Sequence, residues 1–93
     1  MEFVWDENKA AINLQKHGVS FQEASTVFED YDALCIFDPD HSDEEDRFIM
    51  LGMSAAVRVL VVCHCYREND EQICIISARK ATKNETATYN GRK

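Results

Sequence analysis

The chain has 93 residues, 45% of them hydrophobic, with three Gly and one Pro, so it fits a single domain, residues 1–93, with a modest core and no long linker. Its start lacks a basic segment followed by an apolar run, and the longest apolar stretch, Val59–Cys63, is far below the ~18 residues of a membrane span, so we expect a soluble cytoplasmic protein. A formal net charge of −7 argues against simple nucleic-acid binding, for which a basic domain is expected.

The first third of the chain predicts an edge strand and two helices. Phe3–Trp5 is a short apolar segment, and Asp6 is a candidate N-cap for a helix over Lys9–His17. Ser20 and Glu23 form a capping box, which indicates that a second helix begins there.

The rest of the chain changes to strand periodicity and then ends in a helix that Thr82 can cap. We predict strands over these segments: Leu34–Phe37, Arg47–Met53, Val57–Arg67 and Gln72–Arg79. Helices followed by hairpin-linked strands are typical of an α+β fold. Here we expect a small antiparallel β-sheet with two N-terminal helices and one C-terminal helix.

Alternation along the strands sorts the side chains between two sheet faces. In Val57–Arg67 the odd-numbered positions are apolar, which suits packing under helices, whereas the even-numbered positions are mixed. We therefore predict that the mixed face gathers Arg58, His64, Tyr66, Arg79 and, at a strand end, Arg47. Arginine suits phosphate because its guanidinium is a planar fork of donors that stays charged.

Such a face suits RNA cleavage. RNA carries its own nucleophile, the 2′-OH, so a protein can position that oxygen, remove its proton and stabilise the phosphate charge without strictly needing a metal. His64 or His41 can exchange protons near neutral pH, and Glu45 can act as a base. The alternatives are a structural strand histidine at His64 and a surface ion pair at Arg47.

Two segments raise the alternative of a metal-binding protein. The acidic segment 38–46 lacks the glycine and the final carboxylate of a calcium loop, and Cys63-His64-Cys65 lacks the second knuckle of a zinc site. We expect a solvated loop, no metal and no cofactor. We also expect buried free thiols at all four cysteines: Cys35, Cys63, Cys65 and Cys74.

The charges are unevenly distributed. Residues 1–46 carry thirteen acidic and two basic side chains, whereas residues 47–93 carry four acidic and eight basic ones. This asymmetry is compatible with a basic functional face, although the acidic residues can also simply keep a small protein soluble.

Several segments, in unbroken order along nearly the whole chain, resemble the BrnT family. They are Phe3–Asp6, Asn13–Phe21, Asp40–Ser42, Glu45–Phe48, Leu51–Gly52 and Ile75–Thr82, followed by Glu85 and Tyr89. The resemblance is most specific in KHGVSF, which is Lys16–Phe21, and in IISAR, which is Ile75–Arg79.

This resemblance implies the toxin of a type II toxin–antitoxin system with a RelE-like ribonuclease fold, in which helices cover one sheet face and the other carries the RNA-cleaving residues. It implies a metal-independent endoribonuclease that inhibits translation and growth. The expected partner is a BrnA-like antitoxin of the ribbon-helix-helix DNA-binding type, through which alone the toxin would contact DNA.

The resemblance also supplies the candidate residues. Glu45, Arg47 and Arg79 are carried over by motif position as catalytic, and His64 joins them as the other candidate for proton transfer. The expected RNA-binding residues are Lys16, His17, His41, Arg58, Arg67 and Lys80.

The chain departs from the family pattern at two cysteines. Cys65 and Cys74 stand where Thr and Arg are expected, and many members are more basic. The alternative function is therefore a catalytically weak or inactive module that binds the antitoxin. The two functions differ in whether Arg47, Arg79 and a proton-transfer residue converge on one exposed face.

Overall fold

The computed structural model describes residues 1–92, which form three α-helices and a five-stranded sheet. The helices are α1 (Glu7–His17), α2 (Phe21–Ser25) and α3 (Lys83–Arg92). The strands are β1 (Glu2–Val4), β2 (Leu34–Asp38), β3 (Arg47–Met53), β4 (Val59–Arg67) and β5 (Gln72–Lys80). Two 3₁₀ turns, Thr26–Glu29 and Pro39–His41, follow α2 and β2.

The sheet is mixed, with the strand order β1-β5-β4-β3-β2. The last four strands pair antiparallel in hairpin order, but β1 runs parallel to β5, with Glu2 opposite Gln72. The α+β class is confirmed, and a wholly antiparallel sheet is wrong. The apolar pattern of Phe3–Trp5 predicts a strand but carries no information about the direction in which it pairs.

Asn13 fixes α1 against the part of β5 that β1 does not reach. Its side-chain amide donates to the carbonyls of Val19 and Ala78, at 2.9 and 2.8 Å, and its Oδ1 accepts from the Ala78 N–H at 3.0 Å. One buried side chain therefore takes the place of a neighbouring strand at Ala78. The helix itself begins at the N-cap Asp6 and ends at Gly18, whose φ of 69° suits glycine.

The two sheet faces have different coverings. The helix face packs on Phe21, Ala24 and Val27, and its side chains include Met50, Leu60, Val62, His64, Ile75 and Ala78. The open face is covered only at one end, where Tyr89 of α3 packs on Leu51 and Val61. Its side chains include Arg47, Ile49, Leu51, Val61, Cys63, Ser77 and Arg79.

The sequence predicts that the odd-numbered residues of β4 pack under helices, but the side chains that pack under α2 and the turn after it belong to even-numbered residues. Leu60 and Val62 lie there, fully buried, and Val61 lies on the open face. The physical reason is that α3 also buries apolar side chains on the open face, so β4 is apolar on both sides. The alternation of residues along a strand divides the side chains between two faces, but it does not indicate which helices pack on each face.

A bulge in β5 changes its alternation as well. Cys63 pairs with Ser77 whereas His64 pairs with Ile75, so Ile76 is an extra residue. Ser77 and Arg79 therefore lie on the same face as Cys74. Strict alternation would place Cys74 on the face opposite to that of Ser77 and Arg79. Within the described part of the chain, no helix is long and apolar enough to cross a membrane.

Candidate active site

A shallow depression lies on the open face, where β3, β4 and β5 meet the turn after β2. Its polar lining combines two arginines with a histidine and an aspartate. The lining residues are Asp38, His41, Arg47, Ile49, Val61, Cys63, Ile76, Ser77 and Arg79. The alternation of side chains along β4 does not predict this depression. Three of its lining residues are nevertheless candidate site residues from the sequence: Arg47, Arg79 and His41.

The Asp38–His41 pair supplies a titratable group to the depression. The 3₁₀ turn after β2 brings His41 Nδ1 to 2.8 Å from Asp38 Oδ2. The Asp38 side chain is only 11% exposed, whereas that of His41 is 66% exposed. In the tautomer that carries its hydrogen on Nδ1, His41 donates to Asp38, and Nε2 can act as an acceptor.

Arg47 opens β3 directly opposite Asp38. Its Nη2 lies 4.0 Å from Glu45 Oε2, which is a long ion pair, and its backbone N–H is bonded to Ser42. Its Nε is buried, and no acceptor among residues 1–92 bonds to it. The guanidinium thus retains donor capacity beside the depression.

Arg79 is held from the other side by α3. Its Nη1 and Nη2 donate to the two carboxylate oxygens of Glu85, at 2.8 and 2.9 Å. The hydrogen bonds from Arg79 are the largest cause that lowers the pKa of Glu85 to about 2, and the bond to Thr82 adds to them. The same pair raises the pKa of Arg79, so this arginine stays charged.

Glu45 lies between two arginines. Its Oε1 accepts from Arg67 at 3.5 Å, while its Oε2 faces Arg47. Arg67 is half exposed, and it lines a second depression with Arg47, Glu45, Lys9 and Cys74. The structure therefore brings the predicted residues Glu45, Arg47 and Arg67 together at one end of the open face.

His64 lies elsewhere. It is fully buried on the helix face, where its ring contacts Phe28, Phe48 and Tyr66. Burial lowers its pKa, which favours the neutral ring. The prediction that His64 and Tyr66 share a face with Arg79 is wrong, because the bulge at Ile76 reverses the alternation of β5 and places Arg79 on the open face.

Arg58 and Lys80 also lie towards the helix side. Arg58 donates through two nitrogens to Glu23, at 2.6 and 2.7 Å, and these two bonds lower the pKa of Glu23. Arg58 also donates to the Gly18 carbonyl. Lys80 pairs in register with Leu60 and also lowers the pKa of Glu23. The prediction that Arg58 lies on the same sheet face as Arg79 is wrong. Its hydrogen bonds to Glu23 instead connect the turn before β4 to α2.

Lys16 and His17 lie in the last turn of α1, with Lys16 exposed and His17 partly buried. Neither side chain lines the depression. Their assignment to RNA therefore stays a prediction.

The cysteines are only partly as predicted. All four are free, and Cys65 and Cys74 are buried, but Cys63 is intermediate and Cys35 is exposed on the edge strand β2. Among residues 1–92, no group of three or more His, Cys, Asp or Glu side chains is arranged to hold a metal ion.

Sequence reasoning missed two functional candidates, Asp38 and Glu85. From the sequence, Asp38 belongs only to the end of a strand and to the acidic segment 38–46, although its spacing of three residues from His41 around Pro39 fits a turn that brings the side chains together. Glu85 enters the sequence analysis only through the resemblance, although it stands three residues after Thr82, at the capping-box position; it does cap Thr82 at 2.8 Å, and it also binds Arg79. A carboxylate at a cap can serve a second partner, which a local motif does not reveal.

Comparisons with known proteins agree on one family. The family model described as the ribonuclease toxin BrnT of type II toxin–antitoxin systems matches residues 5–85. The crystal structure of the Brucella abortus ribonuclease toxin BrnT is similar, with a TM-score of 0.68 and 28% sequence identity, over 89% of this chain and 99% of that one. A sequence comparison with curated proteins gives no significant match.

Proposed function

Since the chain belongs to the BrnT family of ribonuclease toxins of type II toxin–antitoxin systems, we propose that it is a metal-independent endoribonuclease whose active site is the depression on the open face. The observation that carries this proposal is the convergence of Arg47, Arg79 and the Asp38–His41 pair around that depression. A RelE-like arrangement, with the RNA on the sheet face opposite the N-terminal helices, belongs to the same proposal.

In the proposed reaction, Arg47 and Arg79 bind the oxygens of the scissile phosphate. His41 Nε2 accepts the proton of the 2′-OH, and the freed oxygen attacks phosphorus. Asp38 holds the ring and stabilises the imidazolium that forms. The 5′ oxygen departs and takes a proton from water, which leaves a 2′,3′-cyclic phosphate. The arginines stabilise the charge that develops on the phosphate oxygens.

Glu45 is proposed to position Arg47 and Arg67, and it is the second candidate for proton transfer. Arg67 lies at the Glu45 end of the open face, so it is proposed to bind a neighbouring phosphate of the RNA. His64 has no place in this reaction because it is enclosed on the other face.

The proposed setting is the cytoplasm, where cleavage of RNA inhibits translation and growth. Membership of a type II family implies an antitoxin partner. We propose that this antitoxin is BrnA-like and of the ribbon-helix-helix type, and that the toxin reaches DNA only through it.

A second candidate function is a weak or inactive antitoxin-binding module. The observation that favours it is that a protein carboxylate already faces each arginine of the site, with Glu45 beside Arg47 and Arg67, and Glu85 bonded to Arg79. RNA phosphates must compete with these carboxylates, which lowers affinity relative to that of unpaired arginines.

Induced expression tests the proposal in cells. We expect growth arrest by the wild-type chain, relief by the adjacent antitoxin gene, and loss of arrest in Arg79→Ala and Arg47→Ala. Binding of each variant to the antitoxin shows that it is folded. No arrest by soluble wild-type protein would favour the inactive module, and undiminished arrest by both variants would overturn the proposed site.

A further inference from the structure

Two buried cysteines face each other across the β4–β5 hairpin, at one end of the open face. Cys65 and Cys74 are paired in register, and both thiols are free. Directly opposite residues in antiparallel strands have Cα atoms about 4.5–5.5 Å apart. A disulfide bridges Cα atoms about 4.4–6.8 Å apart, so the register places this pair at a spacing that a disulfide can bridge.

The pair also has a route to solvent and a neighbouring cation. Cys65 is 1% exposed, but Cys74 is 9% exposed and lines the depression that also contains Lys9, Arg47 and Arg67. Arg67 lies near both thiols, and Cys74 and Cys65 raise its pKa. Cations beside a thiol favour the thiolate, which is the form that attacks disulfides.

The two thiols differ in how readily each can react first with a disulfide from solvent. Burial, together with the neighbouring Cys74, raises the pKa of Cys65 to about 11, so Cys65 is poorly suited to react first. Cys74 lines the depression, so an oxidant entering from solvent reaches it first.

We propose that Cys65 and Cys74 form a dithiol site that low-molecular-weight disulfides oxidise to a cross-strand disulfide. The Cys74 thiolate attacks one sulfur of the small disulfide, which breaks that S–S bond, forms a mixed disulfide and releases one small thiolate. Cys65 then gives up its proton and attacks the Cys74 sulfur, which forms the Cys65–Cys74 bond and releases the second small thiolate. Two protein thiols are oxidised, one small disulfide is reduced to two thiols, and the two protons pass to the departing sulfurs.

The disulfide would lie at the depression that Cys74 lines together with Arg67 and Glu45, at one end of the proposed RNA-binding face. It would remove both thiols from the surroundings of Arg67. The chemistry of the pair does not depend on the proposed ribonuclease activity, so each can fail without the other.

Oxidised glutathione is the probe, and intact mass spectrometry is the readout. The double variant Cys35→Ser/Cys63→Ser keeps only the proposed pair, and we expect it to lose the mass of two hydrogen atoms, with a crosslink between the peptides that contain Cys65 and Cys74. The matched control, Cys65→Ser/Cys74→Ser, keeps Cys35 and Cys63. These two cysteines lie on opposite sheet faces and two strands apart, so we expect only glutathione adducts there.

Two results would overturn the proposal. One is stable glutathione adducts on the pair without an internal disulfide. The other is equal rates of internal disulfide formation in the two double variants. A further variant, Arg67→Ala, is expected to slow oxidation of the pair severalfold. Circular dichroism is the control that its fold is unchanged. If Arg67 had only a structural role, a variant with an unchanged fold would be oxidised at the rate of the parent protein.

Discussion

At the residue scale, the Asp38–His41 pair is the feature on which the proposed chemistry depends most. Proton transfer by a positioned side chain typically contributes about 10²–10⁴-fold to a rate. We therefore expect His41→Ala to slow RNA cleavage by about that factor, and Asp38→Asn to slow it less, since the ring is then misoriented but still present. Single-turnover cleavage of a short RNA measures both, with thermal unfolding as the check on folding.

Glu45→Gln separates the two candidates for proton transfer. If His41 moves the proton, His41→Ala is the slower variant. Cleavage at the wild-type rate by His41→Ala, together with complete loss in Glu45→Gln, would instead assign proton transfer to Glu45.

The sequence identifies candidate site residues by their chemistry better than it predicts the sheet face on which each one lies. Arg47, Arg79 and Glu45 were predicted by motif, and the structure brings Arg47 and Arg79 to one depression. His64 is wrongly grouped with Arg79 because strand periodicity does not reveal the bulge at Ile76, which reverses the alternation of β5. The sequence names His41 both as a possible proton carrier and as an RNA-binding residue, but its partner Asp38 becomes visible only through the turn geometry.

At the element scale, the Arg79–Glu85 pair ties α3 to β5. The folded pKa of Glu85, about 2, lies below the ordinary value of 4.5. The pair therefore stabilises the fold fully above about pH 4.5, and this contribution is lost as the pH falls towards 2. Because Glu85 is one-third exposed, the contribution is discounted to roughly 1 kcal/mol.

We expect Glu85→Gln to lower the free energy of unfolding by roughly 1 kcal/mol at pH 7 and by progressively less below pH 4.5. Denaturant titrations at several pH values measure this difference. Glu44→Gln, in the exposed acidic loop, is the charge-matched control. A deficit in Glu85→Gln that stays constant from pH 7 to pH 2.5 would contradict the assigned pKa.

Asn13 ties α1 to β5 through three hydrogen bonds, all of them buried. We expect Asn13→Ala to lower the free energy of unfolding by about 2–3 kcal/mol, because the Ala78 N–H and C=O lose their partner. Gln15→Ala, on the exposed side of the same helix, is expected to change it by less than about 0.5 kcal/mol. Equal effects of the two variants in urea unfolding would show that water replaces the Asn13 amide.

The sequence predicts the secondary-structure elements well, but it does not predict two features of how the strands pair. The bounds of β3 were predicted as observed, since the residues from Arg47 to Met53 form a long β-prone run between turn segments. The parallel pairing of β1 and the bulge at Ile76 were missed, because both depend on contacts distant in sequence rather than on local pattern.

At the scale of the whole molecule, the net charge of −7 has to be reconciled with a polyanionic substrate. Three arginines, Arg47, Arg67 and Arg79, lie on the open face, and Glu45 and Glu85 face them. The site thus offers a few directed donors rather than a broad positive field. RNA affinity is therefore expected to depend on few phosphate contacts.

The salt dependence of RNA binding measures that number. Single-stranded nucleic acid gives a slope of about −0.7 per contact in a plot of log K against log salt, so three contacts predict a slope of about −2. Fluorescence anisotropy with 2′-O-methylated RNA, which binds without being cleaved, gives this slope, and Arg67→Ala should make it shallower by about 0.7. A slope steeper than about −5 would indicate an extended basic surface that the open face does not provide.

The most direct test of the proposed active site is cleavage of RNA by the purified protein in excess EDTA. The wild type should cleave and leave 2′,3′-cyclic phosphate ends, and Arg47→Ala should be at least about 10²-fold slower because it loses stabilisation of the phosphate charge. Lys83→Ala, which removes an exposed cation outside the depression, should cleave as the wild type does. Cleavage that stops in EDTA and returns with added metal, or that survives unchanged in Arg47→Ala, would contradict a metal-independent site on the open face.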